Sequence, residues 1–452
     1  MAVERRARER ARTGMKGSMI LASAVSLLTS LAHAAPDVDC HIGAYRLSDG
    51  SVIDLAPQDA PGLRYRMFDG TTGVLRAAGG GWTGTQGWTD HPDGKQFALG
   101  ACGTGELRVD DLAGRRIEFD VTETRFRSRG VELAGRLVLP RGNQRVPIAV
   151  LIHGSENSSA LQMYSLQRLL PAEGIGAFVY DKRGTGSSGG TYTQDFSALA
   201  DDAVAALREA RRLAGDRAGR IGLQGGSQGG WVAPLAASRT QVDFVVVSFG
   251  LAVSPVEEDQ QEVELEMRLA GHGPDAIAKA LEVTRAAEAV IMSGATSGFA
   301  RFDALRTRYR GEPWYKDLRG NMTRLILPLG EQQLRAMASA YHLDTPFHYD
   351  SMPVLRAVKA PQLWILGEDD LDAPSAETGR RIRALAAQGR PFTLAMFPGA
   401  EHGMTEYERS PSGERVSTRY AAGYFAMMRD FMRDGRLGAS YGASAITRPA
   451  RP

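Results

Sequence analysis

From Phe126 onward the chain alternates short apolar runs with stretches of helical period, and this alternation restricts the fold more than any other feature. The runs at 133–139, 148–152, 177–180, 220–224, 244–249, 363–366 and 392–397 have strand length. Several are apolar throughout, as strands covered on both faces of a sheet must be. Segments 160–170, 198–213, 231–237, 376–387 and 420–432 fall between or after them as helices. The pattern predicts an α/β fold over 126–433, with a mostly parallel central sheet and helices on both faces.

The alternation stops between Ser254 and Met352, where amphipathic segments at 256–269, 274–291 and 330–340 predict a helical insertion read as a cap. Its acidic residues Glu257, Glu258, Asp259 and Glu262 are expected to form a solvated helix face. Ahead of the α/β region, residues 36–123 are rich in Gly, Asp and Thr, with short alternating pieces between turn signals, and predict a small β-rich domain. Trp82 and Trp88 within it are expected to pack rather than to stack on a ligand. The tail 434–452, rich in Gly, Ser and Pro, is expected to be disordered.

Residues 1–34 have the form of a signal peptide: a basic stretch ending at Lys16, an apolar run at 19–31, and Ala32-His33-Ala34, with cleavage expected after Ala34. The run is too short to span a bilayer. Export to the periplasm or medium is therefore expected, with no stable membrane anchor. Removing the leader leaves a slightly acidic chain, which carries no nucleic-acid footprint. The only cysteines, Cys40 and Cys102, follow the leader, and an oxidising compartment favours their pairing.

The chemistry centres on Gly225-Gly226-Ser227-Gln228-Gly229, which follows a predicted strand and precedes a predicted helix. A serine on so sharp a turn needs a strained backbone and small neighbours, which the glycines supply. Its hydroxyl becomes a nucleophile only beside a general base that a third group holds in the right tautomer. Of eight histidines, His402 alone follows the last strand outside the insertion, as the order nucleophile, acid, base requires. The acid belongs on the loop Gly367-Glu-Asp-Asp-Leu-Asp-Ala-Pro374, where Glu368, Asp369, Asp370 and Asp372 all stand. A single short loop lacks the ligand spacing of a metal cage, so no metal is expected. Two main-chain amides are expected to receive the oxyanion: Gln228, after the nucleophile, and Ser155, past Gly154 on the loop after an early strand. His153 is expected to brace that loop.

These residues give the region from Phe126 to Arg433 a resemblance to the α/β-hydrolase superfamily, specifically to its serine-aminopeptidase-like and dienelactone-hydrolase-like esterases. The resemblance rests on Leu151-Ile-His-Gly-Ser155, Tyr180-Asp-Lys-Arg-Gly-Thr-Gly-Ser187, the serine turn, the Gly367–Pro374 loop and Glu401-His-Gly403, in that order. It implies the acid is Asp370, with Asp372 as the alternative, and that Asp181 and Arg183 brace the site. It further implies a serine hydrolase cleaving an ester or related acyl bond through an acyl-serine intermediate, without cofactor, on a small acyl ester or short peptide. A peptidase on short peptides, an acyltransferase and a non-catalytic secreted binding protein are the alternatives.

Overall fold

The computed structural model describes residues 38–58, 62–340 and 344–450. The leader expected over 1–34 lies outside the described residues. Eight short strands come first: β1 (Gly43–Leu47), β2 (Val52–Pro57), β3 (Leu63–Met67), β4 (Thr72–Ala78), β5 (Gly81–Thr85), β6 (Pro92–Leu99), β7 (Glu106–Val109) and β8 (Leu112–Arg116). Each pairs with the next, and β1 pairs with β8, so the sheet closes into a barrel without free edges. Tyr45, Ile53, Leu55, Leu63, Tyr65 and Phe97 fill it. Cys40 and Cys102 are disulfide-bonded across a separation of 62 residues. A loop of that size makes such a bond worth about 2–4 kcal/mol.

The second sheet follows with β9 (Phe119–Ser128), β10 (Val131–Pro140), β11 (Val146–Ile152), β12 (Gly176–Tyr180), β13 (Ala218–Gly226), β14 (Val245–Ser248), β15 (Gln362–Gly367) and β16 (Phe392–Phe397). Its order is β9-β10-β12-β11-β13-β14-β15-β16, parallel from β12 to β16 and antiparallel at β9 and β10. Helices Phe196–Ala214, Gly229–Arg239 and Ser375–Ala387 bury one face against Phe178, Leu223 and Trp364. Helices Leu166–Ala172 and Tyr424–Asp434 bury the other against Val179, Phe244 and Ile365. After β16 the chain makes a small sheet of β17 (Ala400–Glu401), β18 (Thr405–Arg409) and β19 (Arg415–Tyr420).

Two expectations need correction. Residues 434–450 of the tail are not disordered: β20 (Ala445–Thr447) pairs antiparallel with β16, where its main chain satisfies the open edge of the sheet. The acidic residues of the insertion are not all solvated. Asp259 is fully buried and Glu262 nearly so. Asp259 accepts hydrogen bonds from the amides of Met322 and Thr323 and from the Thr323 hydroxyl, and Glu262 accepts one from the Asn321 amide. These carboxylates take up main-chain donors of an irregular segment, which is what makes their burial tolerable.

The insertion itself is helical, with Pro255–Leu269, Pro274–Met292, Phe299–Tyr309 and Glu331–Ala340 packed on a core of their own around Met267, Val283, Phe302 and Trp314. Its first helix opens on a capping box between Ser254 and Glu257.

The barrel is seated on the α/β region at two places. Arg168, on the helix Leu166–Ala172, forms a two-pronged ion pair with Asp54 of β2, which is fully buried. On the other side the Trp88 amide donates to the Ser417 carbonyl at 2.8 Å, and the Tyr420 amide to the Gly70 carbonyl at 2.9 Å. Trp88 lies under the Arg64 guanidinium, 4.2 Å from its ring centre, and edge-on to Tyr420. It packs, as expected, and so does Trp82 against the barrel core.

Candidate functional site

Ser227 occupies the turn between β13 and the helix Gly229–Arg239, with φ at 53°. A non-glycine residue in that left-handed region is held at a cost of about 1–2 kcal/mol. The glycines around it answer to particular clashes: a Cβ on Gly225 would lie 2.2 Å from the Gly229 carbonyl oxygen, and one on Gly226 would lie 2.7 Å from the Phe249 ring. Strand, turn and helix can converge only because neither side chain exists.

Phe249, at the end of β14, carries the site sideways. Its own φ is 41°, and its ring stands edge-on to His402 with centroids 5.0 Å apart. Met404, two residues beyond His402, has φ 62°. Three of the six non-glycine residues with left-handed backbone among those described thus cluster here, the concentration of strain expected of a functional site.

His402 sits between β17 and β18, partly exposed. Its Nδ1–H donates to Asp370, 3.0 Å from Oδ2 and 3.2 Å from Oδ1. Asp370 is buried, and its Oδ1 also accepts the amides of Asp372 and Ala373 at 3.0 and 2.8 Å. The acid loop therefore places Asp370, not Asp372, against the imidazole. The other carboxylates diverge: Asp369 accepts from the Tyr407 hydroxyl, and Glu368 is exposed. Burial pulls the His402 pKa down, but the Asp370 charge and hydrogen bond, with Asp372 adding to them, outweigh it and raise it to about 9.

Gly154 lies over the serine, since a Cβ built on it would be 3.5 Å from the Ser227 Cβ. Neither the Ser155 nor the Gln228 amide has an acceptor among the described residues, so both remain available to a ligand. His153 is buried behind the loop, and its Nε2–H donates to the Tyr180 carbonyl at 2.7 Å. Asp181 accepts from the Ser159 hydroxyl and the Ser187 amide, while Arg183 forms a bidentate pair with Asp202. These contacts brace the loop.

The helical insertion reaches the acid loop through Asn321. Its side-chain amide donates to the Asp372 carbonyl, while its main-chain amide goes to Glu262. The turn bearing His402 is held from below: the Thr405 hydroxyl meets that of Ser417 at 2.9 Å, and Ser417 in turn accepts from Trp88 of the barrel. Sequence reasoning missed Phe249, whose only signal is its place at the end of an apolar run.

A sequence model of the alpha/beta hydrolase family matches residues 149–416. No curated protein matches the chain. Similar solved structures include an esterase of Pyrococcus furiosus at 15% identity, covering 63% of this chain and 83% of that one, with a TM-score of 0.41. An acylaminoacyl peptidase of Pyrococcus horikoshii is 16% identical, covering 86% of this chain and 57% of that one, with a TM-score of 0.42. A hypothetical protein of Pseudomonas aeruginosa is 22% identical, covering 71% and 94%, with a TM-score of 0.41.

Proposed function

Because the chain belongs to the alpha/beta hydrolase family, we propose that it is a serine hydrolase that cleaves carboxylic esters through an acyl-serine intermediate. The observation that carries this reading is the Asp370–His402 pair beside a strained Ser227 turn. Ser227 attacks the acyl carbon as His402 Nε2 takes its proton. Asp370 holds the imidazole with its proton on Nδ1, leaving Nε2 free to accept. The amides of Ser155 and Gln228 receive the charge on the former carbonyl oxygen, where each such donor is worth about 3 kcal/mol. His402 then protonates the leaving alcohol, and water repeats the sequence to release the acid.

The helical insertion acts as a cap, and the Asn321 link to the acid loop supports that role. Export accords with the leader-like start of the chain and with the Cys40–Cys102 bond, which persists in oxidising compartments. Reaction with a fluorophosphonate tests the assignment. The native protein should label and Ser227→Ala should not; label retained by the variant refutes the nucleophile. Hydrolysis of aminoacyl arylamides in preference to short-chain acyl esters would replace the esterase reading with a peptidase.

A further inference from the structure

Lys182 lies in the loop after β12 with 2% of its surface exposed. Its Nζ donates to the carbonyl oxygen of Gly154 at 2.9 Å. That carbonyl and the Ser155 amide belong to one peptide unit. In a planar trans peptide the C=O and N–H point in opposite directions, so a grip on the oxygen decides where the N–H points. Such a grip is needed because Gly154 leaves the preceding backbone free to turn. A cation at the carbonyl also polarises the peptide and strengthens its N–H as a donor.

The lysine is itself held in place. Its Nζ stands 4.7 Å from the centre of the Tyr192 ring. The Tyr192 hydroxyl donates to the Ser155 carbonyl at 2.5 Å and accepts from Gln194 Nε2 at 3.0 Å, and Gln194 Oε1 accepts from Gln228 Nε2 at 2.7 Å. A side-chain relay therefore joins Ser155 to Gln228, the two residues whose amides have no acceptor among the described residues.

We propose that Lys182 is a positioning residue that aims the Ser155 amide at the developing oxyanion, with Tyr192 and Gln194 locking that donor to Gln228. The inference rests on the serine-hydrolase reading above. A lysine that served stability alone would alter melting temperature and leave the balance of kcat and KM untouched.

The test is steady-state hydrolysis of p-nitrophenyl acetate by the full chain. Lys182→Met is expected to lower kcat roughly thirtyfold to a hundredfold with KM within about twofold, and Lys182→Arg to recover part of the loss. Tyr192→Phe keeps the ring beneath Nζ and loses only the hydroxyl; about a tenfold fall in kcat at unchanged melting temperature is expected. It decides the matter should Lys182→Met fail to fold. Both variants within about threefold of native kcat, or a change confined to KM, overturn the proposal. If the native protein neither turns over the ester nor labels at Ser227, the hydrolase reading fails by itself. A crystal structure of Lys182→Met then decides: a rotated Gly154–Ser155 peptide sustains the positioning role, and an unmoved one ends it.

Discussion

Both carboxylate oxygens of Asp370 face a single nitrogen of His402, at 3.0 and 3.2 Å, while the Asp372 amide donates back to Asp370. Asp372 thus supports Asp370 through its main chain, and its carboxylate acts on His402 through its charge.

This arrangement separates two substitutions that look alike in sequence. Asp370→Asn should lower kcat by about 10³- to 10⁴-fold, because an amide can stabilise the wrong imidazole tautomer. Asp372→Asn keeps the donating amide and should stay within about fivefold of native. Ester hydrolysis by the two purified variants makes the comparison, and the reverse ranking would reassign the acid.

The same contact sets a pH dependence. The His402 pKa is raised from its ordinary 6.5 to about 9, with Asp370 outweighing burial. A base works as neutral imidazole, so kcat/KM should climb with pH through a midpoint well above 6.5 and move down in Asp370→Asn. Stability runs the other way: the protonated pair stabilises the fold fully below pH 6.5 and loses that contribution as pH rises through about 9. A rate profile from pH 5 to 10 checks the first, and melting temperatures of native protein and His402→Gln over the same range check the second.

Gly225 offers a steric test. A methyl group there would meet the Gly229 carbonyl oxygen at 2.2 Å, and backbone cannot yield as a flexible side chain can. Gly225→Ala should cost at least about 2 kcal/mol and take activity with it. Urea unfolding followed by tryptophan fluorescence measures the loss, and a stable, active variant would mean that the turn can relax.

At the seat of the barrel, Arg168→Met would leave Asp54 buried and unpaired. Destabilisation of about 3–5 kcal/mol is expected, partly restored when Asp54→Asn is added. Thermal unfolding of the single and double variants gives the answer; additive losses would show that the pair is not coupled.

How far the sequence could be read depended on the range of the interactions involved. The strands β10 to β16 were legible because burial on both faces leaves several of them as unbroken apolar runs, and the Ser227 turn because its glycines are a local steric requirement. Barrel closure was not, since the pairing of β1 with β8 leaves no mark in short alternating segments. The order in β20 escaped notice because a sheet edge far away in sequence supplies its partners. Buried Asp259 looked like any surface acid, its donors lying more than sixty residues on. Lys182 was visible only inside a motif valued for its neighbours Asp181 and Arg183, and Tyr192 and Gln194 stand in a polar loop with no period to betray them.

The ladder between the barrel and the β18–β19 hairpin joins residues as far apart as Arg66 and Tyr420, a separation of 354, with Asp69 and Arg419 at 350. A ribosome delivers the barrel long before it delivers the hairpin. The turn that seats His402 therefore takes its final support from a part of the molecule made more than three hundred residues earlier. Closing so long a loop adds little to the equilibrium cost, which grows only with the logarithm of its length, but it places the step late in folding. The Ser227 turn can form from neighbouring strands alone, whereas His402 is seated only when the barrel and the β18–β19 hairpin have met.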